Sequence, residues 1–226
     1  MKSCRLRQDM SMALLALALL AMPANAANEA QARAVLESME SAYEAVNDYR
    51  VHVQVVLAAA NADLRTEEFI YTFRKPNQVR IDFKKPQKGT ILVFPDEEGK
   101  VLVRPWGWRL LELHLAPDSL LLSNPSGQRI DQSDFGLLIR NMGRSMNGGR
   151  RGPPEVIEEG PVVRIGVLAE DHFREGKITR YQFTVARGTW LPKEIEERSP
   201  DGVFERRITF GSLEVNTGVP DSSFQP

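Results

Sequence analysis

Hydrophobic positions in this chain repeat first with a helical period, then with a period of two, and the same pair of periods then recurs. From Glu29 to Asn47 the apolar positions are Ala32, Val35, Leu36, Met39, Ala42, Tyr43 and Val46, with Glu, Arg and Ser between them. That is the i, i+3, i+4, i+7 stripe of an amphipathic helix, and no proline or glycine interrupts it. From Asp48 the period is two. Val51, Val53 and Val55 alternate with His52 and Gln54; Phe69, Tyr71 and Phe73 alternate with Ile70, Thr72 and Arg74. After a turn at Lys75-Pro76-Asn77, Val79, Ile81 and Phe83 alternate with Arg80, Asp82 and Lys84. Lys85-Pro86-Gln87 turns the chain into Ile91–Phe94, Asp96–Gly99 turns it into Val101–Arg104, and Trp108–Leu113 reads as one more strand. Short strands separated by polar turns predict an antiparallel meander.

Between Ile130 and Met146 the helical period returns. Phe135, Leu138, Ile139, Met142 and Met146 share one face, and Asp131 or Ser133 can cap the start. Residues 147–154 (NGGRRGPP) read as a loop. Strands resume at Val162–Leu168, Ile178–Val185, Leu191–Arg198 and Val203–Phe210. Two helices and roughly ten strands predict an α+β domain built on one curved antiparallel sheet.

The N-terminus changes the picture. Lys2, Arg5 and Arg7 precede an unbroken apolar run from Met12 to Met22, followed by Pro23 and Ala24-Asn25-Ala26. This is the layout of a secretory signal peptide over 1–26, with Ala27 the first mature residue and the periplasm the expected compartment. The run is too short for a membrane span, which needs about 20 residues. Cys4 is the only cysteine and lies in the removed segment, so no disulfide or thiol chemistry is expected. The full chain carries a net charge of -1, and the removed segment +2, which leaves the mature chain near -3. Nucleic acid is a poor partner for that balance. A single domain over 27–226, monomeric and without cofactor, is the expectation.

Candidate chemistry is sparse. The three histidines, His52, His114 and His172, are far apart in sequence and read as isolated surface or edge residues, so no metal site is expected. No serine sits in a nucleophile elbow, and no glycine-rich loop opens a helix. Arg144, Arg150 and Arg151 read as a solvated cluster. Glu194, Glu196 and Glu197 read as the solvent face of a strand. No catalytic residue emerges. What stands out is apolar surface in phase: Tyr71, Phe73, Ile81, Phe83, Phe94, Trp106 and Trp108, with the helix stripe Val35, Leu36 and Met39. These residues either fill a core under the helices or line a pocket for an apolar ligand.

Three blocks of the chain resemble the LolA-like superfamily of periplasmic lipoprotein carriers, and among them the DUF1571 type. The first is Ala42-Tyr43-Glu44-Ala45-Val46-Asn47-Asp48-Tyr49, leading into an alternating strand. The second is Phe73-Arg74-Lys75-Pro76-Asn77-Gln78-Val79-Arg80-Ile81, then Lys85-Pro86 and Ile91-Leu92-Val93. The third is Leu191-Pro192, Asp201-Gly202, Ile208-Thr209-Phe210, Asn216 and Pro220-Asp221-Ser222-Ser223-Phe224. Residues 130–138 (IDQSDFGLL) are similar to the DUF1571 middle helix. The resemblance implies an incomplete β-barrel with the helices as a lid over a cavity for acyl chains, and a last segment that tucks its Phe onto the sheet. It also implies lid or gating roles for Arg74 and Lys75. Carriers of this kind have Arg directly before the proline; here Lys75 holds that place, and lysine makes no forked contact. Two functions follow: a binder of lipid or lipoprotein acyl chains, as carrier or sensor, or a non-catalytic module with a filled core that docks on an envelope membrane protein.

Overall fold

A computed structural model describes residues 24–59, 63–108, 111–122, 129–147 and 150–225. Most of the expected signal segment, residues 1–23, lies outside the described residues. The described chain opens with helix α1 (Ala24–Glu44) and strands β1 (Asp48–Ala58), β2 (Leu64–Arg74), β3 (Gln78–Lys85), β4 (Ile91–Phe94), β5 (Val101–Arg104) and β6 (Leu113–Leu115). Helix α2 (Phe135–Asn147) follows. Strands β7 (Glu155–Glu159), β8 (Val162–Glu170), β9 (Ile178–Ala186), β10 (Pro192–Arg198) and β11 (Phe204–Val215) complete the sheet.

The strands form one open antiparallel sheet in the order β6-β5-β4-β3-β2-β1-β11-β10-β9-β8-β7. Two meanders run outward from a seam where the first strand pairs with the last, Val53 opposite Phe210 and Val55 opposite Ile208. Because side chains alternate between faces, the register makes rows across the sheet. One row runs Phe83, Phe69, Val53, Phe210. Another runs Val55, Ile208, Ile195, Phe183, Ile165. All point to the face that carries both helices, the inner face.

Three local readings differ from the sequence. Strand β7 shows no alternation in the sequence because its residues are mostly acidic and exposed, as suits an edge strand that must not recruit another chain. The strand expected at 108–113 begins only at Leu113; before it, Pro105–Gly107 forms a short 3₁₀ turn. The cap of α2 is Asp134, not Asp131 or Ser133: its Oδ1 accepts from the backbone N–H of Leu137 at 3.1 Å. The same oxygen accepts from the Tyr43 hydroxyl at 2.9 Å, joining α1 to α2. Gly136 makes that approach possible, since a Cβ there would lie 2.6 Å from the Tyr43 ring.

On the outer face the C-terminal segment packs Val219 and Phe224 onto Val93 and Leu102. Arg80 donates to the carbonyls of Ser223 and Gln225, both at 3.0 Å. Arg74 donates to the carbonyl of Val219 at 2.9 Å, pairs with Asp221 and lies over the Phe224 ring.

Candidate functional site: a cavity on the inner face

The two helices do not cover the sheet evenly. Ala32, Val35, Leu36 and Met39 of α1, with Ile139, Met142 and Met146 of α2, pack on Val163, Ile165, Val167, Tyr181, Phe183 and Val185 of β8 and β9. Strands β1 to β5 instead bury their inner face against Ile130 and Phe135, at the entry to α2. Between α2 and the sheet this leaves a partly open cavity of about 210 Å³.

Its walls follow from the register. Tyr49, Val51, Val53, Val55 and Leu57 of β1 alternate inward, joined by Phe69 and Tyr71 of β2, Ile81 and Phe83 of β3, and Leu92 of β4. From the other half come Ile208 and Phe210, Ile195, Tyr181 and Phe183; α2 adds Phe135, Leu137 and Leu138. One end is closed by aromatic rings: Tyr49 stacks on Phe135 at 4.4 Å and on Tyr71 at 5.8 Å. The Tyr49 hydroxyl accepts from the backbone N–H of Phe135 at 3.1 Å, and that of Tyr71 bonds Ser133 at 2.9 Å. Burial pushes both hydroxyls well above their ordinary pKa, so both stay neutral. Toward Leu57 and Phe83 the strands pass from buried to half-buried, and this end opens.

Near the open end, in the row of Leu57, sits a buried ion pair. Arg206 Nε donates to Glu197 Oε2 at 3.1 Å, with the side chains 7% and 5% exposed. Arg174 stands 3.9 Å from the same carboxylate. The Tyr181 hydroxyl accepts from the N–H of His172 at 3.1 Å, and the His172 ring stacks on Tyr181. His172 Nε2 bonds Ser145 Oγ of α2 at 2.6 Å. Burial pushes His172 down to about 4, against the pull of Asp171. Asp171 is itself held below its ordinary value: burial raises it, but Arg174, the N–H of Phe173 and the Thr179 hydroxyl outweigh that. With its carboxylate so engaged, Asp171 does not orient His172, and the Ser–His contact ties helix to sheet.

Four sequence expectations are corrected here. Of the residues expected to line a pocket, Tyr71, Ile81 and Phe83 do so. Phe73 and Phe94 face the same way but are buried in packed core beyond the closed end. Val35, Leu36 and Met39 are buried against the C-terminal strands, because α1 lies over the other half of the sheet. Trp106 and Trp108 leave the wall altogether and are 61% and 60% exposed, because the turn after β5 carries them past the sheet edge. Arg74 points to the outer face, where it holds the C-terminal segment rather than a lid. Lys75 does reach α1: its Nζ donates to the carbonyls of Tyr43 at 2.9 Å and Glu44 at 3.1 Å, where a helix C-terminus favours a cation. Glu196 and Glu197 are buried rather than a solvent face, Glu196 paired with Arg198 and Arg207 on the outer side. His172 is half-buried rather than peripheral. Glu197 and Arg206 were readable by phase, since Ile195, Ile208 and Phe210 share their parity.

No family model matches the chain, and no curated protein matches it. Solved structures similar to it include proteins of the LolA superfamily. A LolA superfamily protein from Nitrosomonas europaea is 10% identical over 86% of this chain and 97% of that one, with a TM-score of 0.42. The lipoprotein LppX of Mycobacterium tuberculosis is 9% identical over 84% and 98%, at a TM-score of 0.45. A chain of the Pseudomonas aeruginosa MucA/MucB complex is 15% identical over 87% of this chain and 61% of its own length, at 0.48. Likeness at this level decides nothing about chemistry, which the cavity itself must carry.

Proposed function

We propose that this is an exported, non-catalytic protein that binds lipid or lipoprotein acyl chains in the inner-face cavity, as a carrier or sensor in periplasmic outer-membrane lipid and lipoprotein traffic. The observation that carries the reading is the apolar wall left under a single helix end, closed by aromatic rings and open beside Phe83. At about 210 Å³ the cavity exceeds the ~150 Å³ that takes benzene and falls short of the roughly 300–1,000 Å³ of drug-sized sites. It suits one acyl chain end, with the headgroup left at the open end near Glu67, Arg206 and Glu197. Each buried methylene contributes roughly 0.8 kcal/mol, so about half a dozen carbons of a chain end supply roughly 5 kcal/mol against the cost of association. Lys75 acts as a fixed anchor for α1, which lies off the cavity, and not as a gate. Among the described residues the first buried position of α1 is Ala32, downstream of the expected cleavage after Ala26.

The test is mass spectrometry of organic extracts of the protein purified from its native envelope. Co-purifying acyl lipid supports the reading. A lipid-free protein that instead retains an envelope membrane protein favours the docking module.

A further inference from the structure

The open end of the cavity carries an apolar and basic rim that the cavity does not use. Beyond the end of β3, residues 86–89 form a turn that returns at Thr90, whose carbonyl accepts from the N–H of Phe83 at 2.9 Å. Trp106 sits on this loop: its N–H donates to Thr90 Oγ1 at 3.1 Å, and a Cβ on Gly89 would lie 3.2 Å from the Trp106 carbonyl carbon. Trp106 and Gly107 both adopt left-handed backbone, at φ 52 and 71, which for tryptophan is an uncommon conformation. The result is a projecting turn with two indoles 5.8 Å apart, both largely exposed.

Beside the cavity wall, Leu122 turns inward while Leu120 and Leu121 stand 90% and 79% exposed. Large side chains so exposed in company are unusual on a protein surface and mark a contact site. Charge says what kind. Among the acids at this end, Glu68 pairs with Lys85 and Glu112 with Arg104, while Glu67 stays inside the cavity mouth. Lys84 and Lys88 are exposed and have no acidic partner among the described residues. Indoles with neighbouring lysines match the interfacial layer of a bilayer, where the ring sits among headgroups and the amine meets anionic lipid.

We propose that this rim, centred on Trp106, Trp108, Lys84 and Lys88, docks the protein on an anionic bilayer surface with the open end of the cavity facing the lipid. This goes beyond the acyl-chain reading, since docking itself needs no cargo.

The experiment is flotation of the purified mature chain with vesicles of phosphatidylethanolamine and phosphatidylglycerol, and with phosphatidylcholine vesicles, while following tryptophan emission. The expected result is flotation with the anionic vesicles and a blue shift. Trp106→Ser/Trp108→Ser should weaken flotation by about tenfold or more. Its remaining tryptophan, the half-buried Trp190, should show no shift. Lys84→Gln/Lys88→Gln should remove the preference for anionic vesicles. Both variants should melt as the parent does and bind a fluorescent fatty acid unchanged. Absence of flotation by the parent, equal flotation with phosphatidylcholine, or full flotation of the tryptophan variant each overturns the proposal. A parent that binds the fatty acid but does not float keeps the cavity reading and loses this one; the reverse pattern keeps docking and loses the cavity.

Discussion

On β8 and β9, the inner-face residues Val163, Ile165, Val167 and Val185 meet the stripes of α1 and α2 and become packed core. On β1 to β3, Val55, Phe69 and Phe83 face the same way from the same sheet, yet remain half-buried around a cavity. Side-chain type does not separate the two regions, since both are β-branched and aromatic in strict alternation. Cover separates them. Both helices lie along the C-terminal strands, and only the end of α1, at Ala42 and Tyr43, and the start of α2, at Phe135 and Leu138, reach the N-terminal ones. A sheet wider than its roof therefore stores apolar surface at one end, and that end is where a ligand fits.

Four substitutions test this contrast. Removing Arg206 alone, as Arg206→Met, leaves the buried Glu197 carboxylate with only the more distant Arg174 and should cost up to about 3–5 kcal/mol. The double change Arg206→Met/Glu197→Leu should recover most of that in urea melts, leaving a more apolar open end. Ile165→Ala under the helices should cost about 2–5 kcal/mol. Phe69→Ala in the cavity wall should fall below the range of about 3–5 kcal/mol usual for a buried Phe, because the wall already faces open space. If the two truncations cost the same, the contrast between roofed and unroofed halves is wrong.

His172 gives a pH signature to the junction of α2 with the sheet. Its folded pKa of about 4 lies below the ordinary 6.5 because burial disfavours the charged ring. The unfolded chain therefore binds the extra proton first. Stability held by neutral His172 is present in full above about pH 6.5 and is lost as pH falls toward 4, to a total on the order of 2–3 kcal/mol. Denaturant melts at neutral and acid pH should show that loss, reduced in His172→Gln. The smallest expected effect is Gly136→Ala, where a methyl would meet the Tyr43 ring and should cost about 1–3 kcal/mol.

Period carried the sequence reading far. Both helices, and every strand with clean alternation, were legible as repeats, and so was the inward set Tyr71, Ile81 and Phe83. What period cannot convey is which neighbour covers a face. Val35, Leu36 and Met39 form an evident stripe, but nothing local says that it lies on β8 and β9. Trp106 and Trp108 follow β5 in the phase of outward-facing Leu102 rather than of Val101 and Val103, and a left-handed turn after β5 takes them out of the sheet. Glu197 and Arg206 were legible by parity, but charge suggested solvent, because the partner that makes burial tolerable lies on the adjacent strand. Strand β7 has too few apolar residues to alternate.

The central claim, that the unroofed half of the sheet holds an acyl chain, is tested most directly at Phe83, which lines the cavity while half-buried. A fluorescent fatty acid is titrated into the parent and Phe83→Asp, and both are melted in the same samples. The account predicts saturable binding by the parent, loss of binding in the variant, and cooperative melting in both, since the charge can reach water at the open end. A parent that binds no probe, or a variant that unfolds as it would on gaining an unpaired charge in solid core, contradicts it.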